Sequence, residues 1–221
     1  MEKSLSAEIS EFFSGPLDLS SNVTNNYIYI IGIDPGVTTG ISVLRVDLSD
    51  GVPPPHDMDR ITPFTTQLSY GGSGNVADLI KGDAAWQEQN IACQIADTYR
   101  HLSEYGTTVL VIEDFIIRKF LSSRDFLSPV RITAGILQSV YEGLALDHEA
   151  GDYDLPPEEG NFIFFQSPSD AKGTCTDERL DKWGYTIQTQ KDRHGRDATR
   201  HSVLFLRKLL QNPKYISRSQ E

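Results

Sequence analysis

Apolar residues along the chain fall into short runs typical of strands and longer periodic segments typical of helices. Strand patterns occupy residues 27–34, 40–48 and 60–68, and the first of these, YIYIIGID, stops at a Pro-Gly turn signal. The nearly continuous apolar run at residues 107–115 is typical of a buried central strand. The segment NFIFFQ, residues 161–166, predicts a fifth strand.

Three longer segments carry the helical period of apolar residues. Residues 83–105 predict a helix whose inner face is formed by Trp86, Ile91, Ile95, Tyr99 and Leu102. Residues 130–146 predict a second one with Ile132, Ile136, Leu137, Val140 and Leu144 inside. A last helix over residues 193–210 buries Val203, Leu206 and Leu210. This order of elements predicts an α/β domain with a five-stranded mixed sheet flanked by helices.

The domain organisation follows from the same pattern. Residues 1–25 are rich in Ser and Asn, and we expect a flexible arm with one short helix around residues 9–13. Residues 26–212 form one domain without an internal repeat, and residues 213–221 are a tail that begins at a helix-ending Asn-Pro.

Composition excludes several classes of protein. No apolar run approaches the roughly 20 residues of a membrane span, and the N-terminus lacks a basic start followed by an apolar stretch, so we expect neither membrane insertion nor secretion. Cys93 and Cys175 are far apart and outside any zinc-ligand spacing, which excludes a disulfide scaffold and a zinc finger. A cytoplasmic location is expected.

Charge is unevenly distributed along the chain. The net charge is −11, but residues 185–221 carry a local +5 on a body of −16. A basic C-terminal segment permits contact with phosphate at one face of an otherwise acidic protein. The alternative is a basic last helix that is merely solvated.

Two acidic residues follow apolar strands. Asp34 stands between its strand and a Gly-rich turn, where it either caps the turn or faces a cleft. Glu113 is the first acid after the apolar run of its strand, at the carboxyl end where ligand sites of open α/β sheets cluster. If both strands are central and adjacent, the two carboxylates converge; otherwise each is a solvated strand end.

A third acidic element is KDRHGRDATRHS, residues 191–202. His194 and Asp197 are three apart and share one helix face, which His201 can join. An acid in the first turn of a helix is also favoured by the helix dipole, without any chemical role. Basic residues flank this element, and a second basic group follows Glu113 and could form the other wall of a DNA groove. The candidates for contact with a phosphate backbone are Lys191, Arg193, Arg196, Arg200, Arg118 and Lys119.

Four segments together resemble one known family. IIGIDPGVTTGISVL, VLVIEDF, FQSPSDAKG and HGRDATRHSVLFLRKL are similar, in order and spacing, to the elements of RuvC-type Holliday junction resolvases, of the ribonuclease H-like superfamily. The resemblance spans residues 27–210 and is strongest to RuvC-like proteins of bacteriophages.

The resemblance implies an endonuclease with a defined site. Asp34, Glu113 and Asp197 would be metal-binding catalytic carboxylates, with His194 as the fourth member and Lys172 near the scissile phosphate. Two Mg²⁺ ions, replaceable by Mn²⁺, would support hydrolysis that leaves a 5′-phosphate and a 3′-hydroxyl. The implied substrate is a four-way DNA junction, and paired symmetric nicks imply a homodimer.

Other functions share parts of these motifs. Related nucleases cut flaps or forks instead of four-way junctions. Actin-like kinases and ATPases share a similar Gly-Ile-Asp opening, but they need two domains and a second phosphate loop, which 221 residues do not supply. A non-catalytic DNA-binding relative is disfavoured because the acidic set is intact.

Overall fold

A computed structural model of the chain describes residues 4–13, 26–69, 83–115, 127–149, 162–185 and 193–220. Its centre is a five-stranded mixed sheet in the order β3-β2-β1-β4-β5. The strands are β1 (Tyr27–Asp34), β2 (Thr38–Asp47), β3 (Ile61–Ser69), β4 (Thr107–Glu113) and β5 (Ile163–Gln166). β1 to β3 form an antiparallel meander, whereas β4 is parallel to β1 and β5 is parallel to β4. The predicted α/β fold class is confirmed.

Helices cover both faces of this sheet. The helices are α1 (Leu5–Phe13), α2 (Asp83–Ser103), α3 (Ser128–Glu149), α4 (Pro168–Thr174), α5 (Asp177–Lys182) and α6 (Arg193–Gln211), followed by a 3₁₀ segment (Pro213–Gln220). One apolar cluster joins α1, α2 and α3 to one face of the sheet, and a second joins α4, α5, α6 and the 3₁₀ segment to the other. No helix among the described residues is long and apolar enough to cross a bilayer.

The predicted strands and long helices overlap the observed ones, and their ends differ by a few residues. Sequence periodicity did not predict α4, α5 or the 3₁₀ segment, because helices of six to eight residues are too short to display an amphipathic period. The start predicted for the fifth strand, residue 161, lies outside the described residues.

Two predicted core residues are exposed instead. Trp86 is 70% exposed, because the buried face of α2 continues through Glu88, which pairs with Arg131 of α3. Leu210 is likewise exposed at the end of α6, where Leu209 takes the inward position. In both cases a nearby residue, Glu88 in α2 and Leu209 in α6, takes the buried position instead of the residue that hydrophobicity alone selected.

Part of the expected N-terminal arm is packed against the core. Leu5, Ile9 and Phe13 of α1 are buried in the cluster with α2 and β1. The Ser10 hydroxyl also lies 2.6 Å from His101 Nε2 of α2. At the other end of the chain, Tyr215 and Ile216 of the expected tail pack against the cluster around α6.

Two glycines allow α6 to approach the sheet very closely. A Cβ atom on Gly32 of β1 would lie 2.9 Å from the Ser202 amide nitrogen and would collide with the Ala198 carbonyl oxygen. A Cβ on Gly40 of β2 would lie 2.8 Å from the Gly195 nitrogen and would collide with the His194 carbonyl. The absence of side chains at these positions therefore sets the distance between the sheet and the first turns of α6.

We predict that Gly32→Ala lowers the free energy of unfolding by about 1–3 kcal/mol, because the added methyl group overpacks the contact with α6. Urea unfolding followed by circular dichroism measures the change. Gly173→Ala in α4 is the control, since a Cβ there meets no atom within 4 Å. It should raise the stability by about 0.5–1 kcal/mol through the helix preference of alanine. Equal stability of Gly32→Ala and wild type would contradict the close packing.

Candidate active site

Side-chain alternation in the sheet directs both strand-end acids towards α6. In β1, Ile28 and Ile30 pack in the same cluster as α6, so Asp34 two pleats further on shares their face. In β4, Val109 and Val111 do the same ahead of Glu113. Because β1 and β4 are adjacent and parallel, the two carboxylates end at the same edge of the sheet. Of the two alternatives that the sequence left open for Asp34 and Glu113, the structure therefore shows the one in which their strands are adjacent.

Asp34 lies beside ionisable groups of two other elements, β4 and α6. His194 Nδ1 at the start of α6 lies 2.9 Å from Asp34 Oδ2, and only 13% of the Asp34 side chain is exposed. Burial and the negative charge of Glu113 raise the pKa of Asp34 to about 6, and Asp197 adds to this rise while His194 opposes it. The three acids therefore share one electrostatic environment.

Glu113 is bound by a histidine that the resemblance did not assign. His201 Nε2 of α6 lies 2.9 Å from Glu113 Oε2, and the residue is 1% exposed. Its Nδ1 lies 3.3 Å from Oε1 of Gln166 at the end of β5, whose backbone pairs with Glu113. The spacing of residues 194, 197 and 201 on one helix face was the signal for this placement, but it did not indicate Glu113 as the partner.

Asp197 is held by two cations. Lys172 Nζ of α4 lies 3.3 Å from Asp197 Oδ2, and the Arg200 guanidinium is paired with Oδ1. Arg200 also contacts Asp177 and donates from Nε to the Cys175 carbonyl at 3.1 Å. The guanidinium thus ties the first turns of α6 to the short helices α4 and α5.

A basic cavity of about 510 Å³ opens beside Asp197. Its lining residues come from α4, α6 and the segment that starts α5: Lys172, Thr176, Asp177, Arg193, Arg196, Asp197 and Arg200. Four cations against two acids make the cavity suitable for an anion such as a phosphate. Arg196 has a buried Nε without a hydrogen-bond partner, although its Nη1 lies 3.3 Å from Asp177.

The predicted DNA-binding residues divide into two groups. The structure brings Lys172, Arg193, Arg196 and Arg200 together around this cavity. Lys191, Arg118 and Lys119 lie outside the described residues.

The acidic set has the donor chemistry of a magnesium site. Carboxylate oxygens are the ligands that Mg²⁺ and Mn²⁺ prefer. The raised pKa of Asp34 reflects its burial and, second, the negative charge of Glu113, and a divalent cation would compensate that charge. Each acid is turned towards a protein cation or histidine, however, and no three His, Cys, Asp or Glu side chains within the described ranges are grouped closely enough to hold a metal. A metal would therefore have to replace Lys172 or Arg200 at Asp197.

We predict that Asp34→Asn becomes more stable relative to wild type as pH rises, when both are measured in EDTA. Because the folded-state pKa of about 6 exceeds the ordinary value of 3.8, folding favours the protonated acid, and this contribution is lost as pH rises through 6. Between pH 4 and pH 7.5 the difference in unfolding free energy should change by on the order of 3 kcal/mol. Chemical unfolding across this range measures it.

Asp47→Asn is the control of opposite sign. Hydrogen bonds from the hydroxyl and the backbone amide of Ser49 lower the pKa of Asp47, so its charged form stabilises the fold at neutral pH. This variant should lose stability relative to wild type once pH exceeds about 4. A pH-independent difference between Asp34→Asn and wild type would contradict the raised pKa of Asp34.

Comparison with known proteins gives a likeness in fold. The sequence matches no protein-family profile and no curated protein. RuvC from T. thermophilus, solved in complex with a Holliday junction substrate, is 14% identical, with 84% of this chain and 97% of that chain covered and a TM-score of 0.47. The yeast mitochondrial Holliday junction resolvase Ydc2 is 10% identical, with 98% and 90% covered and a TM-score of 0.47. At this level of similarity, the contacts of the site itself carry the functional argument.

Proposed function

We propose that the chain is a metal-dependent endonuclease that cuts branched DNA, with four-way junctions as its preferred substrate. The observation that carries this proposal is that Asp34, Glu113 and Asp197 share one electrostatic environment beside a basic cavity. Burial and the negative charges of Glu113 and Asp197 raise the pKa of Asp34, and Asp197 also lines the cavity with Lys172 and three arginines. Carboxylates whose charge a divalent cation would neutralise, next to an anion-binding cavity, suit metal-assisted phosphodiester hydrolysis.

Each group of residues has a separate role in this proposal. Asp34, Glu113 and Asp197 would hold two Mg²⁺ ions, or Mn²⁺ in their place, with His194 completing the set through its contact to Asp34. A divalent metal held there would provide an activated water and stabilisation of the leaving 3′ oxygen, the chemistry that leaves a 5′-phosphate. Lys172, Arg193 and Arg196 fix the scissile strand through its phosphates. Arg200 is less exposed than Lys172 and Arg196, and it holds the α4–α5 segment in place.

The overall acidity of the chain is compatible with DNA binding. The net charge of −11 repels a polyanion at long range, yet the cavity concentrates four cations at the one place where phosphate must approach. Such a distribution favours a substrate that enters the cavity at a bend or branch over one that lies along the whole surface.

Junction resolution also requires a second active site. Two symmetric nicks are made most simply by a two-fold homodimer. Helix α3 is a candidate for the interface, but it buries Ile132, Ile136 and Val140 in the core of the same chain. Its exposed apolar residues Val130 and Tyr141 remain candidates for the contact with a second copy.

We predict that the wild-type chain nicks a labelled synthetic four-way junction in Mg²⁺ or Mn²⁺ at paired symmetric positions. Asp34→Asn should reduce the rate at least 100-fold, since the acid next to both Glu113 and Asp197 is removed. Denaturing gels of each labelled strand measure the cuts, and the products should be ligatable.

Flap and linear duplexes of the same sequence are the substrate controls. Arg193→Gln is a second protein variant for comparison. This variant should weaken junction binding and flatten its salt dependence while leaving the cut positions unchanged, because it removes one phosphate contact. Preferential cleavage of flaps would support a metal-dependent nuclease but contradict four-way junctions as its preferred substrate. Binding of junctions without cleavage of any substrate would favour a non-catalytic DNA-binding protein.

We further predict that 10 mM Mg²⁺ raises the melting temperature by roughly 5–10 °C if that concentration is about 100 times the dissociation constant. Asp34→Asn should abolish most of this gain. Differential scanning fluorimetry with Mg²⁺, Mn²⁺, Ca²⁺ and EDTA at constant ionic strength measures the shift. An unchanged melting temperature in Mg²⁺ and Mn²⁺ would contradict a metal-dependent nuclease.

A further inference from the structure

His201 is a buried histidine whose polar contacts include the last residues of β4 and β5. Its Nε2 lies 2.9 Å from Glu113 Oε2, and its Nδ1 lies 3.3 Å from Gln166 Oε1. The ring is 1% exposed beneath the edge of the sheet, where neither solvent nor a nucleic acid reaches it. Its part in the site is therefore exerted through Glu113.

The contact with Glu113 determines where the ring carries its proton. A carboxylate oxygen only accepts hydrogen bonds, so Nε2 must be the donor at this distance. The Gln166 amide then adjusts to Nδ1: its Nε2 atom is buried without a partner, and a 180° rotation of the amide would direct that N–H to Nδ1. Gln166 thus satisfies Nδ1 and leaves Nε2–H for the acid.

We propose that His201 is a positioning residue that fixes the Glu113 carboxylate for metal binding through an Nε2–H bond to Oε2. The inference rests on the metal-dependent function proposed above. Glu113 is the last residue of β4, and its side chain would otherwise rotate freely at the strand end. With Oε2 held by His201, the carboxylate has one fixed orientation, which would leave Oε1 for a metal. Partners that orient a metal ligand in this way change metal affinity 10- to 100-fold.

The experiment is calorimetric titration of the full chain with Mn²⁺, without DNA, for wild type, His201→Gln and His201→Asn. The amide nitrogen of glutamine occupies the place of imidazole Nε2, whereas that of asparagine occupies the place of Nδ1. We expect His201→Gln to remain within about threefold of wild type and His201→Asn to lose 10- to 100-fold in affinity.

Ser202→Ala is the matched control on the same helix. Ser202 is fully buried, and its hydroxyl lies 3.0 Å from that of Ser42 and donates to the Thr199 carbonyl at 3.0 Å. This variant should lose stability in EDTA but keep its affinity for Mn²⁺. In the Glu113→Gln background, His201→Asn should cause no further loss of affinity, because the two residues act as one unit.

The outcomes separate the two proposals. A wild-type chain that binds no Mn²⁺ would overturn the metal-dependent function and this inference with it. Binding by wild type with equal affinity in His201→Asn would overturn the positioning role alone.

A spectroscopic readout covers the case in which His201→Asn does not fold. Long-range ¹⁵N–¹H spectra of the wild-type imidazole should show a proton on Nε2 whose resonance moves in Glu113→Gln. An Nε2 without a proton would overturn the inference.

Discussion

The close approach of α6 to the sheet is the constraint on which the site depends. Gly32 and Gly40 leave no room for a Cβ between their strands and the backbone of α6. This contact brings the first turn of α6 within hydrogen-bond distance of Asp34, through His194, and the third turn within hydrogen-bond distance of Glu113, through His201. A larger separation would break both contacts at once, so packing and chemistry are specified by the same two residues.

Hydrogen bonds and ion pairs explain how three acids persist in one partly buried place. Asp34 and Glu113 each contact a histidine, while Asp197 pairs with Lys172 and Arg200. The pKa of Asp34 nevertheless remains raised, because burial and the negative charge of Glu113 outweigh the contact with His194. A cation bound between the acids would therefore gain most at Asp34, whereas at Asp197 it would compete with groups already bound.

The sequence predicted the sheet and the long helices because their periods are strong and their ends are marked. It also placed Asp34 and Glu113 correctly, since the carboxyl ends of parallel strands meet at one edge. It could not predict that Glu88 would replace Trp86 on the buried face of α2, since that depends on Arg131 of another helix. The same reason applies to His201, whose partners are 88 and 35 residues away in sequence.

Long-range pairing of this kind also distinguishes two of the cations at the cavity. The contacts of Arg200 to Asp197, Asp177 and the Cys175 carbonyl engage all three guanidinium nitrogens, which makes it a structural cation. Lys172 makes one ion pair and is half exposed, so a phosphate can draw it away from Asp197 at little cost. If a metal displaced Lys172 from Asp197, the freed ammonium group would be available to a phosphate in the cavity. Binding of metal and binding of phosphate would favour each other by the same factor, as linkage requires.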